Sequence, residues 1–135
     1  MKSELFGQLI NQFEGELCSD DLSKAIYSTD ASVYQMTPKG VAIPSNEDDL
    51  VKLISWSADC KIPLIPRAAG TSLAGQCVGD GVVVDTSKYL NRIIAFDKEK
   101  RLITVEPGVI RDELNQFLQP HGLFFGPNTS TAIDV

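Results

Sequence analysis

The stretch "PRAAGTSLAGQ", residues 66–76, places a run of small residues directly after the apolar segment "KIPLI". Backbone N–H groups in a tight turn form a concavity that holds an anion, and small side chains let a phosphate group approach them closely. The hydroxyls of Thr71 and Ser72 add two donors, so such a site needs no lysine. The segment lacks both G-x-G-x-x-G and an ending in Gly-Lys-Ser/Thr. Two interpretations therefore stay open, an anion-binding loop and a plain turn between strands.

Other residues with reactive side chains have simpler structural explanations. His121 lies between a proline and a glycine at a predicted helix end, where an imidazole more often binds terminal carbonyls than takes part in catalysis. Asp85 and Asp97 each end a predicted strand, so we do not expect a carboxylate pair. Tyr27 and Tyr34 are expected to pack in a core or an interface, with a place on the substrate side of a larger protein as the alternative.

Composition and charge limit the class of protein. A chain of 135 residues fits one domain, and 43% hydrophobic and 22% charged residues are typical of a soluble globular protein. The sequence contains no run of about 20 apolar residues that would cross a bilayer. A net charge of -6, with dispersed basic residues, argues against nucleic-acid binding. The N terminus lacks the pattern of a secretory signal, which predicts a cytoplasmic protein.

The three cysteines, Cys18, Cys60 and Cys77, do not form a C-x-x-C pair. The only imidazole that could join them at a metal is that of His121. We therefore predict free thiols in a reducing compartment and no metal site.

The elements before the loop follow from apolar periodicity. "ELFGQLINQF" places Leu5, Leu9 and Phe13 four residues apart, which predicts a short amphipathic helix. A short apolar strand, "VAI", ends at Pro44, and Ser45 stands where a helix N-cap would, so a helix is predicted over about residues 46–59. The face predicted to be buried comprises Leu50, Leu53, Ile54 and Ser57. "KIPLI" then reads as a short buried strand that leads into the loop.

The elements after the loop are a strand, a hairpin and a second helix. "GVVVD" is typical of a fully buried strand, and "NRIIAFDKEKRLITVEPG" predicts two strands joined by the charged turn 97–100. "VIRDELNQFLQPHG" predicts a helix with Asp112 and Glu113 in its electropositive first turn. Its apolar stripe comprises Ile110, Leu114, Phe117 and Leu118.

Several separated motifs together resemble one known family. "PRAAGTSLAGQCVGDGVVVDTSKYLNRI", "VEPGV" and "LNQFLQPHGLFFGPNTST" occur in this order, and the resemblance runs from "YSTDASVY" at residue 27 to residue 131. They resemble the FAD-binding domain of the vanillyl-alcohol oxidase and p-cresol methylhydroxylase superfamily. The most similar branch contains FAD-dependent dehydrogenases of 2-hydroxy acids, such as D-lactate dehydrogenase and the glycolate oxidase flavoprotein subunit.

The resemblance implies an α+β fold, the first lobe of a two-lobe FAD-binding domain, with a small mixed sheet flanked by helices. In that family FAD lies between the lobes, with its pyrophosphate on the loop that begins at Arg67. A second family loop matches Pro107 and Gly108, and a third, near the flavin, matches the segment from Pro127. The residues that the resemblance implies in the FAD site are Arg67, Ala68, Ala69, Gly70, Thr71, Ser72, Gly75, Gln76, Pro107, Gly108, Pro127, Ser130 and Thr131.

This sequence departs from the family pattern in three places. Ala68 and Ala69 stand where glycine is common, so both residues are expected to avoid backbone angles that only glycine tolerates. Thr71 stands where members with covalent flavin carry a histidine, which implies noncovalent FAD. The chain ends before the family's second lobe and substrate domain, so we expect an N-terminal fragment whose domain is incomplete at its C terminus.

The sequence therefore predicts residues 1–36 as an N-terminal helical extension and residues 37–135 as the N-terminal part of an FAD-binding domain. The full-length protein is expected to oxidise a D-lactate-type or glycolate-type 2-hydroxy acid and to pass electrons to an acceptor, with peripheral membrane attachment as an option. The 135-residue chain alone is expected to be inactive and, with Phe124 and Phe125 near an open edge, to self-associate. The alternative function is a noncatalytic nucleotide-binding or interaction module with the same fold.

Overall fold

A four-stranded mixed sheet forms the centre of the protein, whose computed structural model describes residues 2–127. The α-helices are α1 (Lys2–Phe6), α2 (Asp21–Ile26), α3 (Glu47–Cys60) and α4 (Arg111–Leu118). The strands are β1 (Glu16–Cys18), β2 (Gly40–Ile43), β3 (Leu64–Arg67), β4 (Val82–Asp85), β5 (Ile93–Asp97) and β6 (Leu102–Val105). No helix in the described range is long and apolar enough to span a membrane.

The strand order in the sheet is β1-β2-β4-β3. The last three strands are parallel, with Gly40 and Leu64 both paired to Val82, whereas β1 runs antiparallel to β2. Every residue of β2 and β4 is buried, as expected for central parallel strands with continuous apolar sequences. The small mixed sheet with flanking helices confirms the predicted fold class. Strand β1 was not predicted.

Helix α3 lies close to its predicted position, but its N-cap and its buried face differ from the prediction. The N-cap is Asn46, not Ser45, because the Asn46 side chain accepts a hydrogen bond from the Asp49 N–H at 2.9 Å. Leu53 is fully buried as predicted, whereas Ile54 is 59% exposed. Trp56, three residues after Leu53 on the same face, packs on the Phe6 ring with centroids 5.4 Å apart.

The N-terminal residues begin as helix α1 and continue as a 3-10 helix over Gly7–Asn11, rather than as one α-helix. Gly7 has a φ of +50°, which interrupts the α-helix. Phe6 and Leu9 are buried in one cluster with core residues of β2, α3 and β4, and Leu5 and Phe13 pack against that cluster. The first 36 residues thus supply core side chains and strand β1, and the division at residue 37 stays a prediction.

The hairpin of β5 and β6 forms a second, two-stranded sheet, as predicted. Asp97 is paired with Leu102, and the Asp97 carboxylate accepts a hydrogen bond from the Lys100 N–H in the turn at 2.9 Å. Leu114 and Leu118 of α4 are buried, and the Phe117 ring contacts the hairpin edge-on. Two residues of the predicted stripe are thus buried, whereas Phe117 is 39% exposed and Ile110 is the N-cap that precedes the helix. A short 3-10 helix, Gln119–His121, follows it.

Candidate functional site

The small-residue loop leaves β3 at its carboxyl end and returns to the neighbouring parallel strand β4. The Thr86 N–H, just after β4, donates to the Arg67 carbonyl oxygen at 2.9 Å, which ties the ends of the two strands together. In open sheets with parallel strands, ligands bind beyond the carboxyl ends of the strands. The first half of the loop begins at that edge.

Two glycines give the loop its shape. Gly70 has a φ of +69° and Gly75 a φ of +74°, in the left-handed region that favours glycine. Ala68 and Ala69 both have negative φ, which confirms that they avoid glycine-only backbone angles.

The polar side chains of the loop have different roles. The Ser72 hydroxyl donates to the Gln76 side-chain oxygen at 2.6 Å and accepts from the N–H groups of Ala74 and Gln76 at 3.2 Å. The Ser72 hydroxyl hydrogen is thus used within the loop. The Thr71 hydroxyl has no hydrogen-bond partner among the described residues, and Thr71 is exposed.

The backbone of the loop presents donors without protein acceptors. Within residues 2–127, no oxygen accepts from the N–H groups of Thr71, Ser72 and Leu73. Thr71 and Leu73 are exposed, and Ser72 is half-buried. Such a group of backbone donors between left-handed glycines can hold an anion.

Residues 27–36 pack against the loop, a contact that sequence patterns did not predict. The Ala31 N–H donates to the Gly70 carbonyl oxygen at 3.0 Å, and the Cys77 N–H donates to the Asp30 carboxylate at 3.4 Å. A Cβ atom on Gly75 would lie 2.8 Å from the Tyr34 ring. The only sequence signal for this contact was that "YSTDASVY" belongs to the same family resemblance as the loop.

Arg67 and Tyr27 lie between the loop and the sheet. The Arg67 Nη1 donates to the Thr29 carbonyl oxygen at 2.6 Å, and the guanidinium carbon lies 5.2 Å from the centre of the Tyr27 ring. The Tyr27 hydroxyl donates to the Asp85 carboxylate at 2.6 Å. The same carboxylate accepts hydrogen bonds from the Ser87 N–H and the Ser87 hydroxyl. Burial and this hydrogen bond to Asp85 raise the pKa of Tyr27 well above its usual value, so the phenol stays neutral.

The second predicted loop lies against the segment that follows β4. The Gly108 N–H donates to the Leu90 carbonyl oxygen at 2.7 Å, and a Cβ atom on Gly108 would lie 2.5 Å from the Thr86 carbonyl oxygen. Gly108 therefore packs against the same residue whose N–H contacts Arg67, and Pro107 is exposed. Pro127 is exposed, and the predicted site residues Ser130 and Thr131 lie outside the described residues.

The remaining candidates lie apart from the loop. The His121 ring packs against the Phe96 and Phe117 rings at centroid distances of 4.8 and 5.9 Å. Asp85 is held by Tyr27 and Ser87, and Asp97 belongs to the hairpin turn, so the two carboxylates do not act as a pair. The three cysteines are free, as predicted, and the described part of the chain contains no group of three or more His, Cys, Asp or Glu residues that could hold a metal ion.

Comparison with curated proteins gives several similar sequences. A family model described as "FAD binding domain" matches residues 38–135. The chain is 36% identical over 123 residues to D-2-hydroxyglutarate dehydrogenase of Pseudomonas putida, covering 89% of the chain and 12% of that protein. It is 34% identical over 110 residues to the glycolate oxidase subunit GlcD of Bacillus subtilis, covering 80% of the chain and 23% of that protein. It is 38% identical over 117 residues to the mitochondrial D-lactate dehydrogenase (cytochrome) of Kluyveromyces lactis, covering 82% of the chain and 20% of that protein.

Solved structures with the same fold include 4-ethylphenol oxidase from Gulosibacter chungangensis, with a TM-score of 0.74 and 18% identity over 87% of this chain and 24% of that one. A substrate-bound p-cresol methylhydroxylase matches with a TM-score of 0.67 and 19% identity over 79% of this chain and 22% of that one. These matches confirm the predicted fold. The chain spans less than a quarter of the length of each of these relatives.

Proposed function

The chain belongs to the FAD binding domain family, and we propose that it forms the part of a flavin-dependent 2-hydroxy acid dehydrogenase that holds the diphosphate of FAD. The similar dehydrogenases of D-2-hydroxyglutarate and D-lactate, and the glycolate oxidase subunit, support this substrate class. Because the chain covers only a small share of these relatives, we propose the activity, its electron acceptor and its 2-hydroxy acid substrate for a longer protein that contains this chain.

The observation that carries the proposal is the run of backbone N–H groups at Thr71, Ser72 and Leu73, none with a protein acceptor in the described range, in a segment where Thr71 and Leu73 are exposed. The diphosphate of FAD is an anion that needs several donors at close range, and the small residues leave room for it. In a chain with a net charge of -6, a site made from backbone donors avoids any need for a lysine. The residues therefore fit this part of FAD.

The roles of the chain's own groups follow from their contacts. The N–H groups of residues 71–73 and the Thr71 hydroxyl would bind the diphosphate, and the bonds of Ser72 to Gln76 would keep the loop in shape. We propose Pro107 and Gly108 as a second contact, since Gly108 packs against Thr86, whose N–H donates to the Arg67 carbonyl oxygen. When bound, FAD supplies the two-electron chemistry, and this chain contributes binding and orientation.

We also propose that FAD is held without a covalent bond, because Thr71 stands where covalent members of the family carry a histidine. After acid precipitation of the FAD-loaded protein, all of the flavin is expected in the supernatant. Flavin that stays with the precipitated protein would contradict noncovalent binding.

The site is tested by adding a negative charge to it. Thr71→Glu places a carboxylate beside the free donors without changing a glycine, and Thr104→Glu makes the same change at an exposed position of the hairpin. The dissociation constant of FAD is measured by flavin fluorescence for both variants and the parent chain. We expect the parent chain to bind FAD weakly. Thr71→Glu should lower the affinity for FAD about tenfold or more, and tenfold equals about 1.4 kcal/mol of binding free energy. Thr104→Glu should leave the affinity for FAD unchanged.

Equal affinity of all three proteins would show that the loop is not the binding site. A parent chain that binds no FAD even at high flavin concentration would favour the noncatalytic module instead. Circular dichroism of each variant serves as the control for folding.

A further inference from the structure

The residues behind the loop form a connected group that we call the brace, defined as Tyr27, Arg67 and Asp85. The Arg67 guanidinium contacts the Tyr27 ring, and the Tyr27 hydroxyl donates to the Asp85 carboxylate at 2.6 Å. Asp85 is 8% exposed and ends the buried strand β4. The brace therefore links the base of the loop to the most buried part of the sheet.

The brace also links the loop to residues 27–36. Arg67 Nη1 donates to the Thr29 carbonyl oxygen at 2.6 Å, and two residues later the Ala31 N–H donates to the Gly70 carbonyl oxygen at 3.0 Å. Gly70 is buried although the residues around it in the loop are mostly exposed. The carbonyl of Gly70 thus points toward residues 27–36, and the chain after Gly70 carries the three N–H groups that have no acceptor in the described range.

The position of the Arg67 guanidinium suits support of the loop rather than contact with an anion. A Cβ atom on Gly70 would lie 2.5 Å from Arg67 Nη2 and 2.8 Å from the guanidinium carbon, so the guanidinium fills the space beside the Gly70 backbone. Its central carbon lies over the Tyr27 ring, and one of its nitrogens donates to the Thr29 carbonyl oxygen. Tyr27 thus contacts the guanidinium with its ring and the Asp85 carboxylate with its hydroxyl.

We infer that Tyr27 and Arg67 are positioning residues that hold the loop in the conformation that leaves the N–H groups of residues 71–73 free for a diphosphate, and that Arg67 is not itself a phosphate ligand. This inference rests on the proposed function for its ligand. The loop conformation itself is a property of the free chain and is tested without ligand.

The first test measures amide hydrogen exchange in the free 135-residue chain. Tyr27→Phe removes only the hydroxyl that donates to Asp85, and Tyr89→Phe is the matched control, because its hydroxyl donates to Glu16 at 2.5 Å elsewhere in the fold. The exchange rate of the Ala31 amide, which donates to Gly70, is compared with that of amides in β4. We expect the Ala31 rate, relative to β4, to rise at least tenfold in Tyr27→Phe and to stay unchanged in Tyr89→Phe.

An unchanged relative rate in Tyr27→Phe would overturn the inference. Arg67→Lys gives a second, independent variant in case Tyr27→Phe does not fold. Lysine keeps the positive charge but lacks a planar group that could stack on Tyr27 while it donates to Thr29. The Ala31 exchange rate, relative to β4, is therefore expected to rise tenfold in Arg67→Lys as well.

The second test asks whether Arg67 binds the phosphates directly. FAD dissociation constants are measured over a range of salt concentrations for the parent chain, Arg67→Lys and Arg67→Met. A positioning role predicts that both variants lose affinity to a similar extent, about fivefold or more, with the same salt dependence as the parent chain. A direct ion pair predicts that lysine restores binding and that methionine weakens the salt dependence, because an exposed ion pair is screened by salt. This second result would contradict the inference.

The two proposals fail in different ways. A parent chain that does not bind FAD contradicts the proposed function, and the exchange rates still decide whether Tyr27 and Arg67 set the loop conformation. A parent chain that binds FAD, with Tyr27→Phe equal to it in both exchange and affinity, contradicts the positioning role and leaves the proposed function intact.

Discussion

Single residues of the loop 68–76 divide into those that fix its shape and those that stay open to a ligand. Gly70 and Gly75 supply left-handed backbone, and Ser72 and Gln76 hold each other within the loop. Thr71 makes no such contact in the described part of the chain, and it is exposed. The Thr71 hydroxyl is therefore a side-chain donor of this loop that can contact an anion without giving up a hydrogen bond.

The contact between Gly70 and Arg67 predicts a specific cost of substitution. Gly70 and Gly122 have nearly equal φ values, +69° and +71°, but a Cβ atom at Gly70 would meet the Arg67 guanidinium and one at Gly122 would meet nothing within 4 Å. Gly122→Ala should lower the free energy of unfolding by about 1–2 kcal/mol from backbone strain alone. Gly70→Ala should cost about 1–2 kcal/mol more, because the Arg67 hydrogen bond to Thr29 is lost.

Urea unfolding of both variants measures this difference. Equal costs at the two positions would show that Arg67 moves away freely and does not hold Gly70. The double variant Gly70→Ala/Arg67→Met provides a further check, since the extra cost should disappear when the guanidinium is absent.

Among the elements, the N terminus of α3 depends on one buried carboxylate. Asp49 is fully buried and accepts hydrogen bonds from the N–H groups of Glu14, Gly15 and Ser45, each at 2.9 Å. Burial acts to raise the pKa of Asp49, but the hydrogen bonds from Ser45, Glu14 and Gly15 outweigh it, and the pKa lies below the usual value. Asp49 thereby fixes the turn before β1 against the start of α3.

Asp49→Asn is expected to destabilise the fold by about 2–4 kcal/mol at neutral pH, because an amide offers one acceptor oxygen and leaves buried N–H groups unpaired. The folded pKa of Asp49 is lowered, so its carboxylate stabilises the fold fully above the unfolded pKa of about 3.9. This stabilisation is lost as the pH falls through the folded pKa. Urea unfolding from about pH 7 to about pH 3 should therefore show the gap between the parent chain and Asp49→Asn becoming smaller below about pH 4. A gap that stays constant would contradict this role.

The elements with strong local patterns were predicted correctly from the sequence, and those that depend on distant partners were not. The apolar run of β4 and the stripe of α4 are properties of their own residues. Strand β1 has three half-buried residues and forms only because β2 offers an antiparallel partner, so no local pattern indicated it. Ser45 and Asn46 are both good N-caps, and Asp49 decides between them, because its carboxylate takes the N–H and hydroxyl of Ser45.

The site shows the same limit. The small residues of the loop indicated an anion site, but the choice between Thr71 and Ser72 as the free hydroxyl depends on the fold of the loop. The contact of Arg67 with Thr29 joins residues 38 positions apart, which periodicity and spacing do not reveal.

For the molecule as a whole, exposed apolar side chains line a groove that contains none of the loop residues 68–76. A groove of about 430 Å³ between the hairpin and the segment after α4 is lined by Phe96, Leu102, Leu118, Phe124 and Phe125, among other residues. Phe124 is 78% exposed and Leu102 is 63% exposed. Exposed apolar patches of this kind promote association in water.

Self-association of the 135-residue chain through this groove is therefore expected. Light scattering at increasing protein concentration should show an average mass above that of the monomer for the parent chain, and a smaller increase for Phe124→Ser. Leu22→Ser is the matched control, because Leu22 is 72% exposed on α2 and does not line the groove, and it should behave as the parent chain does. A strict monomer at all concentrations would contradict the expectation.

The central claim, that the loop after β3 holds the diphosphate of FAD, is tested most directly by mapping FAD contacts on the isotope-labelled chain with amide NMR. Titration with FAD is expected to shift the amides of Thr71, Ser72 and Leu73 most strongly, and that of Gly108 to a smaller extent. ADP should reproduce these shifts, because it carries the same diphosphate. Shifts confined to the groove beside Phe124, or no shifts in residues 70–76 at saturating FAD, would contradict the account.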